Sequence, residues 1–156
     1  MKIWIDADAC PGAVKEIVLR GAERLQVPVV FVANKPIGIP RSPLFSAVQV
    51  KKGLDVADQH IAANAAAGDL AVTQDIPLAA LLVKRGVCVL DVRGDHLSEE
   101  NIDERLSLRN FFQDLRDSGV ETAGPKGFGP RDRQRFAASF DRELTRLAVA
   151  RDRAGK

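Results

Sequence analysis

Short apolar runs that alternate with helix-period segments constrain the fold of this chain more than any other feature. Five runs of four to six residues are rich in β-branched and other apolar side chains. Continuous apolar strands that alternate with helices are typical of a parallel sheet covered on both faces. The sequence therefore predicts an α/β fold, a three-layer α/β/α sandwich around a central, mainly parallel sheet. We predict its strands at Lys2–Ile5, Val29–Val32, Phe45–Val50, Leu70–Thr73 and Val87–Leu90.

Three helices are predicted between these strands, because apolar residues there recur at helical spacing. They cover about residues 14–25, Val56–Ala66 and Pro77–Arg85. After Leu90 no further strand is predicted. Ser98 is a suitable N-cap for a helix to about Leu106.

The last third of the chain is predicted to be helical. A further amphipathic helix is indicated by Leu108, Phe111, Phe112 and Leu115, and a Gly/Pro linker at Gly124–Pro130 follows. Apolar residues beyond the linker recur every three or four positions, so the C-terminal helix should dock on the body. We predict one domain over residues 1–150, with a helical extension from about 98 and a flexible tail at 151–156. The docking stripe consists of Phe136, Phe140, Leu144 and Leu147.

Composition favours a cytoplasmic protein. A chain of 156 residues can bury a core without disulfides, and the two cysteines, Cys10 and Cys88, have no CxxC partner. The N-terminal segment MKIWIDADAC lacks the apolar run of a signal peptide, and no stretch of 18 apolar residues occurs. We therefore expect a reducing compartment and no contact with a membrane.

Aspartates follow several of the predicted strands. The carboxyl ends of parallel strands share one edge of a sheet, where ligands bind, so these side chains should converge. Like charges this close cost about a kcal/mol or more per pair unless protons or a cation compensate them. Oxygen ligands suit Mg²⁺ or Mn²⁺, which can activate water for phosphodiester hydrolysis. The predicted metal ligands are Asp6, Asp8, Asp55, Asp58 and Asp75, all but Asp55 also being assigned catalytic roles.

Polar and cationic residues are predicted on loops at the same edge. Asn34, Lys35, Arg41 and Arg93 are candidates for binding the phosphate of a substrate, since Arg can hold phosphate in bidentate fashion. Asp91 follows the fifth strand, and its role is left open.

Helix capping is an alternative explanation for part of the acidic set. Asp is a favoured N-cap residue, and Asp8, Asp55 and Asp75 stand where helices are predicted to begin. Asp6 is harder to explain in this way, because it ends a strand and no helix is expected at the next residue. Capping and metal binding can coexist in one residue.

Six motifs resemble the YaiI/YqxD family of small bacterial proteins, and the likeness covers nearly the whole chain. That family's fold is similar to PIN and related metal-dependent nuclease domains. The resemblance implies Mg²⁺ or Mn²⁺ bound by Asp6, Asp8, Asp58 and Asp75, with Asp55 nearby. One departure is DVRG at 91–94, where such sequences commonly read NPRG. The motifs are IDADACPG at 5–12, NKPIGIPRS at 34–42, LDVADQHI at 54–61, GDLAVTQDIPLA at 68–79, NIDERL at 101–106 and DRQRFAASFDR at 132–142.

We predict a metal-dependent nuclease whose partner is nucleic acid, RNA rather than DNA, and two alternatives stay open. One is a phosphatase of the haloacid dehalogenase type, because a strand that ends in Asp6-x-Asp8 could supply a nucleophile and a general acid. The residues that follow, Ala9 and Cys10, fit that type poorly. The other is a non-catalytic RNA-binding or adaptor module. With no Tyr, one Trp and seven Phe mostly in apolar stripes, a stacking platform for single strands is not evident.

Overall fold

One six-stranded sheet lies at the centre of the computed structural model, which describes residues 1–53, 55–122 and 127–155. Its strands are Ile3–Asp6 (β1), Val29–Ala33 (β2), Phe45–Gln49 (β3), Leu70–Val72 (β4), Cys88–Leu90 (β5) and His96–Leu97 (β6). Their order across the sheet is β3-β2-β1-β4-β5-β6. The first five strands are parallel, and β6 pairs antiparallel with β5. The predicted, mainly parallel sheet is confirmed.

Helices cover both faces of the sheet. They are Gly12–Leu25 (α1), Val56–Asn64 (α2), Ile76–Lys84 (α3), Ile102–Asp117 (α4) and Pro130–Ala154 (α5). Side chains alternate across the sheet, so Ile3 and Ile5 of β1 pack with α1 and α5, whereas Trp4 packs with α2, α3 and the start of α4. The three-layer α/β/α arrangement is confirmed. None of these helices is both long and apolar enough to cross a membrane within the described residues.

The C-terminal helix docks as its apolar pattern predicted. Phe136, Phe140 and Leu144 are fully buried in the core that α5 shares with α1 and the sheet, and Leu147 lies at its margin. The helix runs on to Ala154, so residues 151–154 are helical where a tail was predicted. Residues 124–126 of the predicted linker lie outside the described residues.

The segment after β5 differs from the prediction. The expectation that strands stop at Leu90 was wrong, because a turn with Gly94 at φ +90° brings β6 back against β5. β6 has only two residues, too few to show an alternating pattern. Ser98 does not cap the next helix; Asn101 occupies that position, and its side-chain oxygen accepts a hydrogen bond from the Ser98 N–H at 2.9 Å.

One helix, α4, replaces the two predicted after residue 98. Its 16 residues contain neither Pro nor Gly, so nothing in its interior breaks it. It ends just before Gly119, whose φ is +85°.

The chain reverses direction across the sheet beside β1. After β1 it adds β2 and β3 on one side, and then crosses to β4 on the other side. The carboxyl ends of β1 and β4 therefore flank a topological switch point, the usual place for a ligand site in an open α/β sheet.

Candidate metal centre

Asp6 ends β1 at the switch point. Its Oδ2 accepts a hydrogen bond from the Thr73 hydroxyl at 3.1 Å. Burial raises the pKa of Asp6; the hydrogen bond from Thr73 opposes this, and the charges of Asp75 and Asp8 add to it. A single 3₁₀ turn, Ala7–Ala9, begins at the next residue, contrary to our expectation, but the Asp6 side chain makes no capping hydrogen bond to it.

The turn after β4 connects Asp6 to Asp75. Thr73 Oγ1 donates to Asp6 and accepts from the Asp75 N–H at 3.0 Å. Asp75 Oδ1 accepts from the Leu78 N–H at 2.9 Å and so caps α3. Asp75 therefore has the predicted capping role and also faces the acidic cluster. Thr73 was not singled out from the sequence, because it was assigned to the end of a strand.

An acidic trio consists of Asp55, Asp58 and Asp75. One carboxylate oxygen from each lies within 4.8 Å of those of the other two. Asp55 occupies the N-cap position of α2 with φ at 61°, yet its side chain accepts no capping hydrogen bond, so capping does not account for it. Burial is the main cause that raises the pKa of Asp58 to about 8, followed by a hydrogen bond to Asp75 and by the charges of Asp75, Asp6 and Asp55.

The trio lines a cleft of about 280 Å³ between α2, α3 and α4. Pro77, Leu78 and Leu81 of α3 form an apolar wall, and Arg109 of α4 brings a cation. Arg109 was missed from the sequence. A usable signal was present: Arg109 stands seven residues after the buried Ile102, a spacing that places both on one side of a helix.

Asp8 lies beside the trio rather than within it. It is exposed, and its Oδ2 accepts a hydrogen bond from the backbone N–H of Asn34 at 2.9 Å. Asn34, a predicted phosphate contact, thus holds Asp8 to the loop after β2.

The other three predicted phosphate contacts do not line the acidic cleft. Lys35 borders a separate hollow of about 220 Å³ between the ends of β2 and β3. Arg41 is exposed on the same loop. Arg93 forms an ion pair with Asp132 of α5, with 3.6 Å between Nη1 and Oδ2.

Asp91 belongs to the turn that leads into β6. Its Oδ1 accepts hydrogen bonds from the backbone N–H groups of Arg93 and Asp95, both at 2.9 Å. Burial raises the pKa of Asp91, and these backbone hydrogen bonds lower it in part. The Asp91 carboxylate therefore stabilises the turn before β6 and does not belong to the acidic trio.

A second group of ligand types lies on the opposite face, where Cys88, His96 and Glu143 each bring one atom within 4.8 Å of the others. Arg146 Nε lies 3.4 Å from Glu143 Oε1 and supplies positive charge there. The negative charge of Glu143 in that group is therefore balanced by the Arg146 side chain.

The donor set of the acidic cleft fits a hard divalent ion. Its ligand atoms are all carboxylate oxygens, which Mg²⁺ and Mn²⁺ prefer. Without a cation, like charges this close favour a shared proton, and they add to the burial that is the main cause of the raised pKa of Asp58.

Comparison with known proteins gives the family. The sequence profile described as "Uncharacterized BCR, YaiI/YqxD family" matches residues 4–146. The chain belongs to the YaiI/YqxD family. No solved structure matches the chain, so the likeness of this family to PIN domains stays a prediction.

Relatives within the family align over nearly their whole length. A UPF0178 protein of Myxococcus xanthus is 63% identical over 147 residues, which are 94% of this chain and 96% of that protein. A UPF0178 protein of Syntrophobacter fumaroxidans is 54% identical over 94% of this chain and 95% of that protein. A UPF0178 protein of Dechloromonas aromatica is 51% identical over 96% of this chain and 100% of that protein. These names carry no activity, so a functional argument has to come from the site.

Proposed function

We propose that this chain is a divalent-metal-dependent nuclease of the cytoplasm that hydrolyses phosphodiester bonds in RNA. The observation that carries the proposal is the acidic trio, with its ligand oxygens within 4.8 Å of one another, beside Asp6 at the topological switch point. Helix capping explains only Asp75 among these residues.

Several residues of the chain would hold the ion and its water in place. Mg²⁺ or Mn²⁺ bound there would lower the pKa of a water molecule and draw charge from the phosphate. Thr73 orients the Asp6 carboxylate through its hydroxyl, and the Leu78 N–H fixes Asp75. Asp55 and Asp58 complete the oxygen set, while Asp8 adds negative charge from the rim.

Arg109 is the cation best placed to hold the phosphate. It lines the same cleft as the trio, whereas Arg93 is engaged with Asp132. A guanidinium group can bind two phosphate oxygens at once, which would fix the phosphate against the metal.

Cleavage of labelled single-stranded RNA with and without Mn²⁺ tests the proposal. Asp6→Asn and Asp75→Asn should each reduce cleavage by about 100-fold or more, since each removes a charged metal ligand. Asp141→Asn is the matched control, because Asp141 pairs with Arg24 on the exposed surface of α5, away from the cleft. Its rate should equal that of the parent chain. Parent rates in Asp6→Asn and Asp75→Asn would refute the assignment.

Two other outcomes separate the alternatives. Binding of metal and RNA by the parent chain without cleavage would indicate an adaptor. Hydrolysis of a small phosphate monoester but not of RNA would indicate a phosphatase with Asp6 as nucleophile.

A further inference from the structure

Three side chains that commonly bind metal converge on the face of the sheet opposite the acidic cleft. Cys88 begins β5, His96 begins β6 and Glu143 lies in α5, so they come from three separate elements. Cys88 Sγ lies 3.7 Å from His96 Nε2, and Glu143 Oε1 lies 3.7 Å from His96 Nδ1. One potential ligand atom of each residue lies within 4.8 Å of those of the other two. We call these residues the Cys-His-Glu group.

The donor atoms of this group suit a softer ion than Mg²⁺ or Mn²⁺. Thiolate sulfur, imidazole nitrogen and carboxylate oxygen are the three common zinc ligands. In a tetrahedral zinc site, bonds of about 2.3 Å to sulfur and about 2.0 Å to nitrogen put those two atoms roughly 3.5 Å apart. The 3.7 Å between Cys88 Sγ and His96 Nε2 is close to that value. Three protein ligands would leave the fourth position of the ion to water.

Glu143 is a buried carboxylate whose cationic neighbours approach it only at long distances. Its side chain is 7% exposed. Arg146 Nε and His96 Nδ1 approach Oε1 at 3.4 and 3.7 Å, whereas a strong charge-assisted hydrogen bond measures about 2.7–2.9 Å. Neither of these two contacts involves Oε2. The carboxylate can therefore accept a cation that binds more closely than either neighbour.

Arg146 does not close the group to an ion. Its side chain is 57% exposed, so it can return to solvent when a metal takes its place beside Glu143. Zn²⁺ with one thiolate and one carboxylate is neutral overall, so the buried ion would not need another counter-charge. The His96 side chain is 38% exposed and gives an ion a path from solvent into the group.

A thiol nucleophile is the competing interpretation, because sulfur, imidazole and carboxylate in this order also occur in cysteine hydrolases. That chemistry requires a thiolate that a substrate can reach. Cys88 is 7% exposed in the core that α1 and α5 share, and burial raises the pKa of its thiol to about 11. A metal ion displaces the thiol proton when it binds, and it needs no room for a substrate.

We propose that Cys88, His96 and Glu143 form a zinc site that ties β6 and α5 to β5. β6 has only two residues, and α5 is joined to the sheet mainly by apolar packing, so an ion would add a direct link among the three elements. Zinc should then stabilise the folded chain in proportion to its concentration. The site is separate from the proposed nuclease centre. Because Mn²⁺ is the weakest of the first-row divalent ions for such ligands, the two sites should take different metals.

Co²⁺ is the probe, because it occupies zinc sites and a thiolate ligand gives it a charge-transfer band in the near ultraviolet. All chains carry Asp58→Asn/Asp75→Asn, which removes the acidic cleft as a competing site. Titration should give one Co²⁺ per chain with the thiolate band, and Zn²⁺ should abolish that band by displacement. Cys88→Ala should lack the band. Cys10→Ala, which removes the other cysteine, is the matched control and should keep it.

Affinity and melting give two further readouts. His96→Ala should weaken Co²⁺ binding by about 100-fold or more, since loss of even an outer-shell partner costs roughly 10–100-fold. Excess Zn²⁺ should raise the melting temperature of the Asp58→Asn/Asp75→Asn chain but not that of the same chain with Cys88→Ala. Cooperative melting in a chelator shows that each variant is folded.

Four results would overturn the inference. The first is a chain without any thiolate band under saturating Co²⁺, and the second is a band that survives Cys88→Ala. The third is a band lost in Cys10→Ala, which would place the ion at Cys10. The fourth is rapid alkylation of Cys88 by iodoacetamide in the metal-free chain, which would favour the nucleophile. None of these results depends on whether the chain cleaves RNA.

Discussion

Carboxylates at the two edges of the sheet differ in how many hydrogen bonds they accept. Asp69, at the amino end of β4, is 6% exposed and accepts hydrogen bonds from Lys2 N, Trp4 Nε1 and Ala66 N at 2.9 to 3.0 Å. At the carboxyl end, Asp6 accepts one from Thr73, and Asp58 shares a hydrogen bond with another acid, Asp75. Burial alone therefore does not distinguish the carboxylates of the two edges. The number of hydrogen-bond donors that face each carboxylate does.

The hollows at the two edges also differ in the side chains that line them. One of about 310 Å³ near the amino edge is lined mainly by apolar groups with Arg151, whose guanidinium donates to the carbonyl groups of Leu25 and Gln26. The acidic cleft is of similar size but holds three carboxylates and Arg109. Of these two hollows, as far as the described residues show, only the second places several carboxylates beside a cation.

The largest expected effect is a difference in stability between variants at the two edges of the sheet. Asp69→Ala should lower the free energy of unfolding by about 3–5 kcal/mol, because it leaves the Trp4 indole and two backbone N–H groups buried without an acceptor. Asp58→Ala should cost little or stabilise the metal-free chain, since it removes like-charge repulsion. Urea denaturation in a chelator measures both. Equal losses in the two variants would break the comparison.

A smaller effect is expected from the cation of the cleft. Arg109→Gln should reduce RNA cleavage by about tenfold, the value of one charge-assisted phosphate contact, and leave Mn²⁺ affinity unchanged. Arg153→Gln, an exposed arginine at the end of α5, is the control. If Arg93→Gln or Arg41→Gln abolishes cleavage and Arg109→Gln does not, the phosphate site lies where the sequence predicted it instead.

A pH dependence of stability is expected in addition. The pKa of Asp58 rises from 3.8 to about 8 on folding, so its contribution to stability is full below pH 4 and is lost as pH rises toward 8. In a chelator, Asp58→Asn should melt higher than the parent at pH 8, by roughly 2–4 °C for each kcal/mol recovered. The difference should vanish near pH 4. A difference in melting temperature between Asp58→Asn and the parent that stays the same from pH 4 to pH 8 would contradict the raised pKa.

The sheet could be predicted from sequence because its parallel strands are buried on both faces. Such strands are continuous apolar runs, and Val29–Ala33 is an example in which every residue is buried. β6 was not predicted, because its position depends on a turn and on only two paired residues. The convergence of Asp6 and Asp75 followed from topology alone, because both stand at the carboxyl ends of neighbouring parallel strands. Asp58 joins them from the first turn of α2.

The remainder of the site depends on packing between distant segments. Arg109 reaches the cleft because α4 packs on α3. The spacing of seven residues from Ile102 indicates which side of α4 it occupies, but not that α3 lies against that side. Arg93 is held by an ion pair with α5, some forty residues later in the chain. Phe111 was expected in a buried stripe and is exposed, because only the first turns of α4 reach the core.

Calorimetric titration of Mn²⁺ tests most directly whether the carboxyl edge is a cation site. The parent chain and Asp141→Asn should bind Mn²⁺ at pH 8, and their apparent affinity should fall by up to about tenfold per pH unit below that, as the ion competes with the Asp58 proton. Asp58→Asn/Asp75→Asn should give no binding heat. Identical isotherms for this double variant and the parent would contradict the account and reduce the acidic cleft to a structural feature of the fold.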